Sequence, residues 1–117
     1  VKREGKIEKI SLADALTAFK TEITARNLIT PTAITLNCNS PDLTRESMTA
    51  GIAGVQLNRS RERDPKKYCS LTQADQLSSD EFVCCLSDLR QKHRLKLIGV
   101  CCGGNSELVK RIASEIT

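Results

Sequence analysis

Ala33-Ile34-Thr35-Leu36-Asn37-Cys38-Asn39-Ser40-Pro41 is the stretch that decides the fold. Ala33 to Leu36 is a short, mostly apolar, β-prone run of the kind buried in a parallel sheet. It ends at Asn37-Cys38-Asn39. Ser40-Pro41 then supplies an N-cap followed by proline at the first helical position, which predicts a helix to about Ala50. A strand that gives way to a helix within a few residues is the opening of a β/α unit.

Working outward, the same pattern recurs. Upstream, Ser11 caps a stretch in which Leu12, Leu16, Phe19 and Ile23 fall at helical spacing, predicting an amphipathic helix over roughly 12–26 that Pro31 stops. Downstream, Gly51 and Gly54 frame the turn into a second strand, about Ala53 to Leu57, ending at Asn58. Residues 59–78 read as a long polar loop. Ser79 is the expected cap of a helix running to about Lys92, with Phe82, Leu86 and Leu89 on one face. Leu95 to Val100 is the third strand, ending at Cys101-Cys102-Gly103-Gly104. A last helix, capped by Asn105 or Ser106, carries Leu108, Ile112 and Ile116 at i, i+4, i+8. The order α-β-α-β-α-β-α predicts an α/β fold of parallel strands with right-handed crossovers.

Bulk properties narrow the function. At 117 residues the chain amounts to one domain or part of one. Apolar residues at 39% suffice for a core, but aromatics at 3% leave few large anchors for it. No apolar run approaches the ~18 residues that span a bilayer, and the charged start Val1-Lys2-Arg3-Glu4-Gly5 leads into no signal-peptide core. A cytoplasmic location and no membrane contact are therefore expected. The chain begins at Val1 and its only methionine is Met48, which leads to the expectation of a partial sequence. The net charge of +4 is mild and does not call for nucleic acid. The densest basic stretch, Arg59, Arg61, Arg63, Lys66 and Lys67, is interleaved with Glu62 and Asp64 beside one aromatic, Tyr68. It reads as a solvated loop, with an anion contact as the other reading.

Six cysteines is a high count, and without a secretory signal a metal or reactive-thiol role gains over disulfides. Cys38 follows the first strand; Cys101 and Cys102 follow the third. In a parallel sheet all strands end at one edge, so residues distant in sequence converge there without a local motif. Three thiolates suit Zn²⁺ and leave a fourth position open, as in catalytic zinc sites. Cys101 and Cys102 can share an ion only if the backbone bends, and Gly99, Gly103 and Gly104 allow that. Buried inert thiols and a disulfide or redox pair are the other readings. Cys84 and Cys85, in mid-helix, read as packing residues, and Cys69 as a fourth ligand or an incidental thiol. His93, at a helix C-terminus, reads as a helix-dipole or surface residue. No Ser-His-Asp set, phosphate loop or C-x-x-C motif can be assembled.

Ile34-Thr35-Leu36-Asn37-Cys38-Asn39-Ser40-Pro41 and Leu97-Ile98-Gly99-Val100-Cys101-Cys102-Gly103-Gly104, with the helix Glu107-Leu108-Val109-Lys110-Arg111-Ile112-Ala113, resemble the homocysteine S-methyltransferase family. Family members place an Asn-Cys before a proline-started helix and run a strand into Gly-Gly-Cys-Cys, with three cysteines binding zinc. Val100 stands where the family has a second glycine, and Leu57 where proline precedes the asparagine at 58. Neither change removes a ligand. The resemblance implies that 1–117 is a partial homocysteine-binding domain, the C-terminal three-eighths of a TIM (β/α)8 barrel, since a whole barrel needs ~250 residues.

What the resemblance implies about chemistry is zinc held by Cys38, Cys101 and Cys102, and methyl transfer from a small-molecule donor to homocysteine, giving methionine. A thiol near pKa 8.5 is mostly protonated at pH 7; coordination deprotonates it, and three anionic ligands leave its sulfur nucleophilic. Asn58 either orients substrate or a ligand, or only ends a strand. The alternative is a non-catalytic zinc-binding fragment that needs missing barrel strands or a partner. Nothing in the sequence fixes an oligomeric state.

Overall fold

The computed structural model describes residues 2, 3, 6, 7, 10–72 and 75–116. A short antiparallel pair, β1 (Lys2–Arg3) with β2 (Lys6–Ile7), precedes the rest and was not anticipated by the sequence pattern. Then follow α1 (Leu12–Ala25), β3 (Thr35–Asn39), α2 (Pro41–Ser47), β4 (Gly54–Leu57), a 3₁₀ turn (Pro65–Ser70), α3 (Ser79–His93), β5 (Leu97–Val100) and α4 (Ser106–Glu115). Strands β3, β4 and β5 form a parallel sheet in that order. The α/β class and the three predicted strands are therefore present.

The register shows how the sheet is used. Leu36, Val55 and Ile98 form one row, and Asn39, Leu57 and Val100 another. Both rows are rich in apolar side chains that join the core with Phe82, Leu86 and Leu89 of α3 and Leu108 and Ile112 of α4. The alternate rows, Thr35-Gly54-Leu97 and Asn37-Gln56-Gly99, lie on the opposite face, where Thr35, Asn37, Gln56 and Leu97 are exposed. Period-two alternation thus gives a sheet covered by helices on one side and bare on the other among the described residues.

Helix boundaries follow local chemistry. Ser11, Ser40 and Asn105 act as N-caps, accepting hydrogen bonds from the amides of Asp14, Leu43 and Leu108. At α3 the cap is Ser78 rather than Ser79. Only Ser78 has a glutamate three residues on, and Ser78 and Glu81 exchange side-chain-to-backbone bonds at 3.1 and 3.2 Å. α2 stops at Ser47 rather than near Ala50, because Met48 turns extended (ψ 134°) and packs on the core. The third strand is shorter than expected, with Leu95 buried before it begins. Phe19, predicted on the buried face of α1, is 44% exposed while Leu16 and Ile23 are buried. It borders a cavity of about 390 Å³ beside Ile34 and Pro31 that no described side chain fills. Leu108, Ile112 and Ile116 are all buried, as their spacing predicts.

Gly54 has a role that the sequence did not show. A Cβ there would lie 2.5 Å from the Leu97 backbone oxygen and from its Cβ, whereas at Gly99 it would meet only the flexible Gln56 side chain at 3.3 Å. Gly54→Ala should therefore destabilise the fold by about 2 kcal/mol through overpacking between β4 and β5. Gly99→Ala should stay within about 1 kcal/mol of wild type. Denaturant unfolding of the two variants checks the contrast.

Candidate metal centre

The parallel sheet brings the ends of β3 and β5 to either side of the end of β4. Cys38 does not follow its strand, as expected, but sits inside it as a bulge. Asn37 pairs with Gln56 and Asn39 with Leu57, so β3 spends one extra residue against a single step of β4. The bulged residue takes φ +62°, the left-handed region that a non-glycine residue rarely enters. The bend re-aims the Cys38 side chain toward the β5 end.

On that side, Cys101-Cys102-Gly103-Gly104 closes a tight turn in which the Gly104 amide donates to the Cys101 carbonyl at 3.2 Å. Gly103 carries the turn's positive φ of +80°, which favours glycine at that position. The three glycines thus differ in role. Gly103 makes the bend, and Gly104 avoids a clash, since a Cβ there would stand 2.6 Å from Val100 Cγ1. Gly99 lies in the regular strand and contributes no bend.

The result joins the three predicted sulfurs. Cys38 Sγ lies 3.5 Å from Cys101 Sγ and 3.6 Å from Cys102 Sγ, and all three lie within 4.8 Å of one another. These distances far exceed a disulfide bond of about 2.05 Å, and the thiols are free. They come close to the ~3.8 Å edge of a tetrahedron built on metal–sulfur bonds of about 2.3 Å. Cys38 and Cys101 are half-buried and Cys102 is exposed, so the cluster opens to solvent on one side. The donor set fits a thiophilic metal ion with a position left over.

Asn58 holds the arrangement. Fully buried at the end of β4, it donates from Nδ2 to the Cys38 carbonyl at 3.0 Å and accepts the Cys102 amide on Oδ1 at 3.2 Å. Its own amide donates to the Asn39 carbonyl at 2.8 Å. One side chain thus ties together the two cysteine-bearing segments, 64 residues apart. The Cys101 amide donates to the Leu57 carbonyl at 2.7 Å, and the Arg59 amide to the Cys102 carbonyl at 2.9 Å. Asn58 is a clamp on the backbone of both cysteine-bearing segments.

Burial and crowding favour the protonated form of Cys101 and Cys102. Burial pushes the Cys101 thiol up, helped by its neighbour Cys38. Cys102 is pushed up to about 11, first by its hydrogen bond with Cys38, then by burial and by Cys101. Each would-be thiolate discourages the next, and a metal ion reverses that preference.

The remaining candidates divide. Cys84 is exposed and Cys85 half-buried, so the packing reading of Cys84 does not hold: residue 84 falls on the outer side of α3, whose buried stripe is Phe82, Val83, Leu86 and Leu89. The Cys69 side chain lies outside the described residues. His93 is in the last turn of α3, ahead of β5, whereas Cys101 and Cys102 follow the far end of that strand, and its buried Nε2 has no hydrogen-bond partner. The basic stretch is not simply solvated. Arg59 donates to the Leu77 carbonyl and to Ser79 Oγ, while Arg61 pairs with Asp42 and Arg63 with Glu46. The signal was present: 42 and 46 share a helix face, and 61 and 63 share one side of an extended segment. A cavity of about 590 Å³ lies between α1 and α2, lined by Leu12, Leu36, Thr44 and Met48 among others, and not by the cysteines.

Asn58→Ala should strand the Cys38 carbonyl and the Cys102 amide. The expected loss is about 1–3 kcal/mol of stability together with roughly tenfold weaker metal binding, read by unfolding and by chelator competition. For the metal-free protein, the raised Cys102 pKa fixes a sign. The unfolded thiol ionises first, near 8.5, so the contribution of Cys102 to stability is constant below that pH and falls as pH rises toward about 11. Metal affinity should move the opposite way and tighten with rising pH, because binding expels the thiol protons.

No family model, no curated protein and no solved structure matches the chain. The functional reading therefore rests on the geometry of the three sulfurs.

Proposed function

We propose that the chain is the zinc-holding part of a thiol methyltransferase, with homocysteine as the methyl acceptor. The observation that carries the reading is the approach of Cys38 to Cys101 and Cys102 at 3.5 and 3.6 Å, at the carboxyl edge of a parallel sheet where such folds assemble their chemistry. Three sulfur donors with one side open match a catalytic rather than a closed structural zinc site. Strands added in sequence order, with helices on one face, are in keeping with a segment of a (β/α)8 barrel.

In this reading a bound zinc ion supplies the positive charge that keeps an incoming thiol deprotonated near neutral pH. The chain's own residues do the rest. Cys38, Cys101 and Cys102 fix where the charge sits, and Asn58 keeps the two segments in register. The open side at Cys102 admits the acceptor. The acceptor thiolate attacks the donor's methyl carbon, a carbon–sulfur bond forms, and the donor group leaves with the electron pair of its broken bond to carbon.

One observation favours a second reading, a zinc-binding piece without turnover of its own. The helix-free face carries exposed Thr35, Asn37, Gln56 and Leu97, and β3 and β5 each lack a second neighbour among the described residues. Parallel sheets are ordinarily covered on both faces, so further strands or a partner would complete an acceptor pocket.

Both readings predict one zinc per chain, lost or at least 100-fold weakened in Cys38→Ala, Cys101→Ala or Cys102→Ala. Metal analysis of each variant tests this, and a wild-type chain that retains no metal after dialysis rejects both. Methionine formation from homocysteine and a methyl donor then separates them. Turnover that requires all three cysteines supports the enzyme; one zinc without turnover supports the fragment.

A further inference from the structure

We propose that the three-sulfur cluster takes a second class of ligand, the uncharged trivalent hydroxides of arsenic and antimony, which Cys38, Cys101 and Cys102 bind as a pyramidal trithiolate. The proposal goes beyond the zinc reading. It shares the sulfur geometry with that reading and needs no zinc.

Spacing is the first argument. Cys38 Sγ lies 3.5 Å from Cys101 Sγ and 3.6 Å from Cys102 Sγ, and all three sulfurs lie within 4.8 Å of one another. Around a central atom with bonds to sulfur of about 2.3 Å, tetrahedral angles set the sulfurs ~3.8 Å apart. A lone pair on the central atom closes those angles, and at roughly 100° the same bond length brings the sulfurs to about 3.5 Å. Both edges that meet at Cys38 are nearer the closed value.

Donor count agrees. Among the described residues no fourth Cys, His, Asp or Glu joins the three. Asn58 spends its side-chain amide on the Cys38 carbonyl and the Cys102 amide. A pyramidal centre is complete with three sulfurs, and its lone pair occupies the open side at exposed Cys102. A tetrahedral ion needs a further ligand there.

Charge is the third argument. Three thiolates on a divalent ion leave a net negative charge, whereas three on a trivalent centre leave none. Two of the three cysteines are half-buried, and burial penalises the charged product more than the neutral one. The exchange is a condensation. Three arsenic–oxygen bonds break and three arsenic–sulfur bonds form, and each hydroxyl leaves as water with one thiol proton. Arsenic stays trivalent, so no oxidant or reductant takes part. The other cysteine pair does not offer this chemistry. Cys84 and Cys85 are consecutive residues of α3 and project ~100° apart.

The test adds arsenite to the whole reduced chain at neutral pH. One equivalent should protect Cys38, Cys101 and Cys102 from alkylation, leave Cys84 and Cys85 reactive, and raise a near-ultraviolet arsenic–sulfur absorption band. Cys38→Ala, Cys101→Ala and Cys102→Ala should each bind at least ~100-fold more weakly, because losing one of three linked attachments forfeits its effective concentration. Cys84→Ala should bind as the unmutated protein does. The protection map uses the unmutated chain, so it decides the matter even where a variant fails to fold. Protection of only two of the three thiols, or unchanged affinity in Cys38→Ala, overturns the proposal. A chain that binds zinc but not arsenite rejects it and leaves the zinc reading standing. Arsenite bound through all three sulfurs by a chain that holds no zinc upholds it and rejects the zinc reading.

Discussion

The buried amide of Asn58 is the constraint on which the cluster depends. It ends the central strand, the one position in a three-stranded sheet that adjoins both outer strand ends. An amide offers a donor and an acceptor on one rigid plane, and here those meet a carbonyl of the Cys38 bulge and an amide of the Cys102 turn. The two segments have no hydrogen-bonded ladder between them, because β4 separates β3 from β5. Without that bridge their separation would be set only by loop conformations, and sulfur spacing would be loose. A metal site needs its donors held within a few tenths of an ångström.

Backbone conformation is the second contribution. A bulge leaves one carbonyl without a ladder partner, and the Asn58 amide fills that need at Cys38. The left-handed φ of the same residue carries a cost of order 1–3 kcal/mol, of the kind that concentrates at functional sites. The surrounding core offsets it: Val55, Leu57, Phe82, Leu86 and Leu108 are all essentially inaccessible, so the sheet that presents the bulge is rigid. Crowded thiols at the rim add a further unfavourable arrangement, which a bound cation would relieve. Strain and crowding fall at one place.

Much of this was legible in the sequence, for identifiable reasons. Helix starts and strand positions were readable because serine, asparagine and proline caps flank runs of clear period, as at Ser40-Pro41 and Asn105. The meeting of Cys38 with Cys101 and Cys102 was readable from topology alone, since parallel strands end together. The Asn58 bridge was legible only as one of two readings, because an asparagine at a strand end is common and its partners here are backbone atoms, which carry no sequence signature. The bulge was hidden: one extra residue in a strand changes nothing in the hydrophobic pattern when it falls at the strand's end. The cap at Ser78 was missed although Glu81 marked it. Phe19 misled because spacing shows which face a residue shares, not whether a neighbour covers that face.

The placement of β4 between the two cysteine-bearing strands has a consequence for how the protein comes into being. During synthesis Cys38 leaves the ribosome first, and the vicinal pair follows only after another sixty-odd residues have been added. No N-terminal intermediate possesses more than one corner of the three-sulfur grip. Assembly of the three-sulfur cluster therefore waits until β5 has docked beside β4.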